Sequence, residues 1–345
     1  MNQADGVLER AEALCELRRY EEALALLSRA VASDPDSLHA WCLIAQAHLG
    51  LDRYREAVKA AETAIALAPE EEWPHRLASV ALQGLGNYVQ ATRAAEEAVR
   101  LAPDTWQTHV QLAHAASRAW RLDLARVASD RALLLAPEEA DVHLAVGAVA
   151  SAAGHPKEAE SHFRRALVIE PDNAVAHNEL ARLHLKYAHG ANPAGLARAA
   201  AGFATAVRSD PRAAVSRRNL ELVVREFLRR VAYGVWIGTY LIARLARVIS
   251  PSVGRIVALV LLGILLLFVW GFVGRLTTHL RHYLLRELLG RRLRLPAGLE
   301  VLAVSCLFAG FSTSASLRLS LTVAAPVAAL IARLLLWRDA RTARA

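Results

Sequence analysis

Four histidines recur at a fixed interval in the first half of the chain, and their side chains are the ones best suited to binding a metal ion. His75, His109, His143 and His177 are 34 residues apart, and Trp41 stands one interval before them. Imidazole nitrogens bind metal ions at about 2 Å. Packed helices lie about 10 Å apart, so rings that recur once per structural unit are too far apart to share an ion. We therefore predict that these rings pack within their own units and that the chain has no metal site.

The other side chains with reactive chemistry are too scattered to form a catalytic site. Cys15, Cys42 and Cys306 show neither C-x-x-C spacing nor a companion histidine cluster, which favours three buried thiols. The chain contains no H-E-x-x-H, no Walker loop and no G-x-G-x-x-G after a strand. We expect no cofactor and no enzymatic activity.

Prolines with the same period indicate the elements that position these side chains. Five of them are 34 residues apart and a sixth follows after 40: Pro35, Pro69, Pro103, Pro137, Pro171 and Pro211. Alanine precedes every one of them by twelve and by five residues, as Ala23 and Ala30 do in the first unit. Proline ends helices, and small side chains let two helices cross closely. The pattern predicts a stack of helix pairs.

This period and this arrangement of alanine and proline resemble the tetratricopeptide repeat family over residues 4–211, in about six repeats. The resemblance implies an all-α fold in which residues 1–211 form an α-solenoid of about six helix pairs. The sixth repeat departs from the pattern, because six extra residues near 187–195 lengthen the connection between its helices.

The resemblance also implies a binding face, formed by the first helix of each pair, that takes a protein or peptide partner. Aligned on the prolines, the side chains expected on this face are His39, Gln46, Trp73, Arg76, Gln83, Gln107, His114, Arg118, Asn178, Arg182 and Lys186. Family members that hold C-terminal carboxylates place a basic residue and two asparagines at fixed positions. Cys42, Gln46, Arg76 and Val80 stand here instead, so that clamp is not expected.

The second half of the chain differs from the first in charge and in hydropathy. Residues 1–211 carry 21 Lys and Arg against 28 Asp and Glu, whereas residues 212–345 carry 20 against 5. Residues 256–274 contain no charge and reach about 28 Å as a helix, enough to cross a bilayer. Residues 297–317 and 319–337 are further candidate spans. We predict a connector that is basic and amphipathic over 212–230, and a transmembrane helical domain over 231–345.

The segment 231–249 permits two interpretations. Its two-faced order, with arginines opposite leucines and valines, favours a helix lying in the headgroup plane. The positive-inside tendency favours a span, because only then does the basic amphipathic linker 275–294 stay on the inner side. Three or four spans follow from these alternatives, and we favour four.

Taken together, these features predict a non-catalytic scaffold, attached to the lipid bilayer, that binds a protein partner at the cytoplasmic face of a bacterial inner membrane. The alternative is a structural subunit of an export or envelope-assembly complex that uses its spans as the interface. A membrane enzyme or transporter is disfavoured, since no Asp or Glu lies deep in a predicted span. Nucleic acid is not an expected partner, because the arginines flank apolar runs. The oligomeric state, the partner and the process remain open at this point.

Overall fold

The computed structural model describes residues 3–187 and 193–210, together with nine helical positions scattered between 219 and 260. All regular secondary structure in these residues is α-helical. The twelve helices are α1 (Gln3–Glu16), α2 (Tyr20–Ser33), α3 (Leu38–Gly50), α4 (Tyr54–Leu67), α5 (Glu72–Gly84), α6 (Tyr88–Leu101), α7 (Trp106–Arg118), α8 (Leu122–Leu135), α9 (Ala140–Ala152), α10 (Pro156–Ile169), α11 (Ala174–Lys186) and α12 (Pro193–Ser209). The chain divides into two compact units, residues 1–171 and 172–345.

The helices of the first unit form five antiparallel pairs that stack in chain order. Each odd-numbered helix packs against its even-numbered partner and also against the next odd-numbered helix, whereas successive even-numbered helices touch only slightly, if at all. The odd-numbered helices therefore line the more tightly packed side. In the second unit, α11 and α12 pair in the same way. The predicted all-α solenoid is confirmed for the described residues.

The predicted membrane domain falls outside this description. The connector 212–230 is described only at isolated positions, and the candidate spans and the linker of the second half lie outside the described residues, as does most of the insertion near 187–195. Within the part that is described, no helix is both long enough and apolar enough to cross a bilayer.

Alanine forms the contact between the two helices of each pair. Of the twelve alanines that precede the prolines, all but Ala30 are fully buried, as Ala57 and Ala64 show in the second pair. An alanine methyl loses no rotamer entropy on burial and lets two helix backbones approach closely. Larger side chains such as Leu27 and Phe163 fill the remaining space and are also fully buried.

A tyrosine and a glycine join successive pairs at one edge of the stack. This edge is formed by the turns between the two helices of each pair, and we call it the turn edge. Tyr20 lies against Gly50, and Tyr54 lies against Gly84, one period later. A Cβ atom added to Gly84 would stand 2.2 Å from Cδ1 of Tyr54, so only glycine leaves room for the ring. The last residue of the odd-numbered helix is therefore a docking point for the preceding pair.

The same edge carries a left-handed backbone residue in every turn of the first unit. Arg18, Asp52, Gly86, Trp120 and Gly154 have φ values of 58°, 57°, 79°, 59° and 83°, and they are 34 residues apart. This conformation is open to glycine without steric conflict, whereas any other side chain meets the following carbonyl. The turn geometry thus repeats even at Arg18, Asp52 and Trp120, whose side chains disfavour a positive φ.

The opposite edge is formed by the loops between successive pairs. It carries the prolines and is acidic, and we call it the proline edge. Its four complete loops, 34–37, 68–71, 102–105 and 136–139, contain seven acidic residues and no lysine or arginine. In three of the four loops the acidic residue after the proline receives an arginine from the next pair: Arg100 reaches Glu70 at 3.7 Å, Arg131 reaches Asp104 at 3.1 Å, and Arg165 reaches Glu138 at 3.0 Å. These ion pairs are exposed, so each contributes at most about 1 kcal/mol.

Replacing Gly84 by alanine tests the docking of Tyr54. The added methyl overlaps the ring, and we expect the free energy of unfolding to fall by about 1–3 kcal/mol, as overpacking does elsewhere. In the Tyr54→Ala background the same change should have a smaller effect, which urea unfolding of all four proteins would measure. Equal effects in both backgrounds would show that the ring is not the cause.

Replacing Trp120 by glycine tests the cost of its backbone conformation. Because the indole is 79% exposed, its removal forfeits little packing. We expect Trp120→Gly to be more stable to urea than Trp120→Ala by about 1 kcal/mol, since both lose the indole and only glycine relieves the left-handed strain. Identical stabilities would show that the turn relaxes when the side chain changes.

Candidate partner-binding face

The periodic rings bind their own proline loops. The Nε2–H groups of His75, His109 and His143 donate to the carbonyl oxygens six residues earlier, those of Pro69, Pro103 and Pro137, at 3.1, 2.7 and 3.0 Å. The indole Nε1–H of Trp41 makes the same bond to the carbonyl of Pro35 at 2.8 Å. A carbonyl only accepts, so each ring acts as a donor and closes the loop before its helix.

This bond explains why the position held by tryptophan in the second repeat can be held by histidine in the later ones. Both rings carry an N–H at the reach needed to satisfy a proline carbonyl. No group of three or more His, Cys, Asp or Glu side chains stands close enough to hold a metal ion among the residues described. Each of these rings holds the proline loop before its own helix, in agreement with the packing role expected from the sequence.

Three side chains from successive odd-numbered helices form a continuous strip on the more tightly packed side of the stack. Oε2 of Glu12 on α1 lies 3.8 Å from Nε2 of His39 on α3, with both side chains about half exposed. The His39 ring in turn lies 5.6 Å, centroid to centroid, from the ring of Trp73 on α5, tilted by 48°. We call Glu12, His39 and Trp73 the helix-face strip.

Arg76 lies one turn beyond Trp73 and is already neutralised. Its Nε donates to Oε2 of Glu72 at 2.5 Å within the same helix, and both side chains are only about a quarter exposed. Behind this pair, burial and then the carboxylates of Glu72 and Glu71 raise the pKa of the Cys42 thiol to about 12. The thiol is inert at neutral pH, and Arg76 does not present a free charge to a partner.

The glutamines expected on this face differ in exposure. Gln46 is exposed, whereas Gln83, Gln107 and His114 are half-buried. Gln111, which the sequence did not single out, donates from Nε2 to Oγ of Ser79 at 2.9 Å and so joins α7 to α5. Gln46 is thus the glutamine of the expected set that is most open to a partner.

Arg118 stands at the turn edge, at the C-terminal end of α7, and contacts a neighbouring ring. Its guanidinium lies 5.0 Å from the ring centroid of Tyr88, and its Nη2 donates to the tyrosine hydroxyl at 2.9 Å. This is the position at which Gly50 and Gly84 receive a tyrosine in the preceding pairs. Arg118 therefore covers Tyr88 and lies apart from the strip.

The three expected residues of the second unit make contacts of their own. Asn178 is 7% exposed and accepts from Nδ2 of Asn219, in the connector, at 2.9 Å. Arg182 pairs with Glu179 at 2.8 Å, and the Lys186 ammonium lies 5.3 Å from the ring centroid of Tyr187. Asn178 is thus buried and bonded to Asn219, which gives this side chain a structural contact in place of an open surface.

Comparison with known proteins also identifies repeats in this chain. The family model described as Tetratricopeptide repeat matches residues 10–78. The described helices form an all-α solenoid like that of tetratricopeptide repeats. A search of curated protein sequences gives no match.

Solved structures resemble the chain in fold. A tetratricopeptide repeat protein from Parabacteroides merdae ATCC 43184 is 13% identical, with a TM-score of 0.55, over 64% of this chain and 84% of that one. PilW, a type IV pilus biogenesis factor, is 16% identical, with a TM-score of 0.50, over 65% and 99%. The APC/C hetero-tetramer Cut9–Hcn1 is 17% identical, with a TM-score of 0.51, over 64% and 42%. At these identities the likeness concerns the fold alone.

A second histidine contact lies inside the fifth repeat. Because Nε2 of His143 donates to Pro137, its Nδ1 accepts in the neutral ring, and Nδ1 of His162 stands 3.0 Å away as the donor. The two rings stack with centroids 5.3 Å apart. Burial, and then the neighbouring His143, lower the pKa of His162.

This lowered pKa predicts that the solenoid loses stability in mild acid. The unfolded chain takes up a proton on His162 near pH 6.5, whereas the folded chain does so only at lower pH, so the unfolded state binds more protons below about pH 6.5. The free energy of unfolding should fall as the pH decreases from about 7 to about 5. In His162→Gln the fall should be shallower, with a remainder from His48, whose pKa burial and then Arg53 also lower. Urea unfolding across this range is the measurement, and parallel curves for both proteins would contradict it.

Proposed function

We propose that the chain is a membrane-anchored tetratricopeptide scaffold that binds a protein or peptide partner on the helix-face strip. The observation that carries this proposal is the continuity of Glu12, His39 and Trp73, which brings one side chain from each of three repeats together. A surface built from three repeats can follow an extended segment of another chain. Trp and charged side chains at the centre of a contact surface are typical interface anchors.

The charges of this region favour a segment that carries a cationic side chain. Glu12 is about half exposed, and Arg76, on the same helix as Trp73, is occupied by Glu72. The Glu12 carboxylate offers a cation an ion pair, and the Trp73 ring, on the other side of His39, offers a cation–π contact. The proposed partner segment therefore has a lysine or arginine beside an apolar residue.

The proposed anchor is the apolar second half of the chain. The uncharged run 256–274 has the length that a bilayer requires, and the basic linker 275–294 that follows it fits the inner-face bias of membrane proteins. With 231–249 as a second span, this linker and the repeats lie on the same side, the cytoplasm of a bacterial cell. The scaffold would hold its partner at the inner membrane.

A photoreactive amino acid at Gln46 tests the strip in the full-length protein. Gln46 is exposed on the helix that carries His39, so we expect cross-links to a partner protein there. The control position is Val168, which is 69% exposed on α10, far along the stack. Equal cross-linking at both positions would remove the strip as the binding site.

Charge reversal at Glu12 then tests the chemistry of the partner. Glu12→Lys changes an exposed side chain and leaves the core intact, and we expect the Gln46 cross-link to weaken about tenfold or more, the loss typical of an interface anchor. The matched control is Glu62→Lys, an exposed glutamate on α4. A loss of the same size in both variants would indicate an effect of net charge alone.

The anchor is tested by the position of Ser252, between the first two predicted spans. In a variant without Cys15, Cys42 and Cys306, a cysteine at Ser252 should react with an impermeant thiol reagent on intact cells, which places 231–249 across the membrane. Labelling only after lysis would place this segment on the inner surface. Release of the protein from membranes by alkaline carbonate would refute the anchor.

A further inference from the structure

The second helix of the fifth repeat carries two rings where the three preceding repeats have small side chains. Phe163 on α10 stands at the place of alanine or serine in those repeats. His162, next to it, stands at the place of alanine in all three, namely Ala60, Ala94 and Ala128. Because alanine is sufficient at this position, the repeat fold itself does not require an imidazole there.

Phe163 fills the contact between α9 and α10, and His162 brings a titratable group beside it. Phe163 is fully buried, and a Cβ atom added to Gly147 on α9 would stand 2.6 Å from Cε1 of its ring. The partly buried ring of His162 stacks on that of His143 on α9, which is 7% exposed, with 3.0 Å between the two Nδ1 atoms. The two helices therefore meet through a pair of rings that can take up a proton.

The charged groups around His162 come from α8 and from α10 itself. Arg126 on α8 pairs with Asp130 of its own helix at 3.3 Å and with Glu158 of α10 at 3.0 Å. His155, at the start of α10, lies 3.7 Å from Glu158. Arg126 disfavours a positive charge on His162, whereas the two carboxylates favour one. Since both carboxylates already pair with Arg126, they compensate such a charge only in part.

We propose that the paired rings of His143 and His162 form a pH switch, which holds α10 on α9 at neutral pH and lets α10 open locally in mild acid. In the open form the His162 ring meets water and has its ordinary pKa of about 6.5, whereas burial, and then His143, keep this pKa lower in the closed form. The open form therefore binds a proton first, and a fall in pH increases its population. Local opening suits a repeat protein, because each repeat contacts only its neighbours.

Opening of α10 would expose an apolar surface that is hidden at neutral pH. Ala159, Phe163 and Ala166 are all fully buried on this helix. The ion pair between Arg126 and Glu158 joins α10 to α8, but it is partly exposed and adds little stability. The switch does not depend on the proposed function, because the helix-face strip lies in the first three repeats.

Hydrogen exchange of the full-length protein, read by mass spectrometry, tests this proposal. The protein is labelled at about pH 7.5 and about pH 5.5, with labelling times scaled for the intrinsic exchange rate at each pH. We expect the protection of the α10 amides to fall about three- to tenfold at the lower pH, since one proton binds the open form preferentially. The protection of α6, in the third repeat, should change less than about twofold.

His162→Ala is the matched variant, because alanine stands at this place in the three preceding repeats. In this variant the pH dependence of protection in α10 should equal that in α6, whatever the overall stability of the protein. His155→Gln is the control for the loss of an imidazole from the same helix. The His155 side chain is 59% exposed, so this control should keep the response of the unchanged protein.

Three results would contradict the switch. Equal falls in α6 and α10 of the unchanged protein would show that acid opens the whole stack and not α10 alone. An undiminished fall in α10 of His162→Ala would show that another group takes up the proton. Loss of the response in His155→Gln would assign the effect to the start of α10 and not to the paired rings.

Discussion

The close contact between the two helices of each repeat is the constraint on which the rest of the structure depends. Because alanine methyls fill the crossing, the two backbones approach closely, and the space left for other side chains is fixed from repeat to repeat. The left-handed turn residue, the tyrosine that docks on a glycine and the ring that binds the proline loop all recur at the same offsets from this contact. A change in the crossing would alter all three.

This constraint separates the surface of the first unit into regions with different chemistry. The proline edge carries carboxylates that pair with arginines of the next repeat, and the odd-numbered helices carry the helix-face strip. The edge formed by the turns within the pairs carries arginine–glutamate pairs and exposed apolar side chains such as Trp120 and Leu17. Each region repeats along the stack because each repeat contributes one loop, one face and one turn to it.

The period of proline and alanine was sufficient to predict the described fold, because a repeated contact leaves a repeated residue type. The spacing of the histidines predicted that they pack within their own repeats. It did not predict that their N–H groups bind proline carbonyl oxygens. Local pairing within one helix, such as that between Glu72 and Arg76, could have been read from their i, i+4 spacing. This ion pair occupies the charge of Arg76, a residue that the sequence placed on the expected binding face.

Contacts between distant residues could not be predicted in this way. The bond from Asn219 to Asn178 joins positions 41 residues apart, outside the 34-residue period. Arg118 covers Tyr88 at the position that glycine holds in the second and third repeats, and Trp120 occupies a left-handed backbone site that no side-chain pattern reveals. At Arg118 and Trp120 the sequence shows only that the residue type differs from that in other repeats. The structure is needed to show what each side chain contacts.

The arginines that cross from one repeat to the acidic loop of the one before place exposed ion pairs between successive repeats. Arg100, Arg131 and Arg165 each reach a neighbouring loop at positions where dissolved salt screens the attraction. The opposite edge carries exposed pairs of its own between repeats, Arg53 with Glu21 and Arg121 with Glu96, beside the contacts of Tyr20 and Tyr54 with glycine. Added salt should therefore weaken the charged contacts between neighbouring repeats on both edges and leave the ring contacts unchanged.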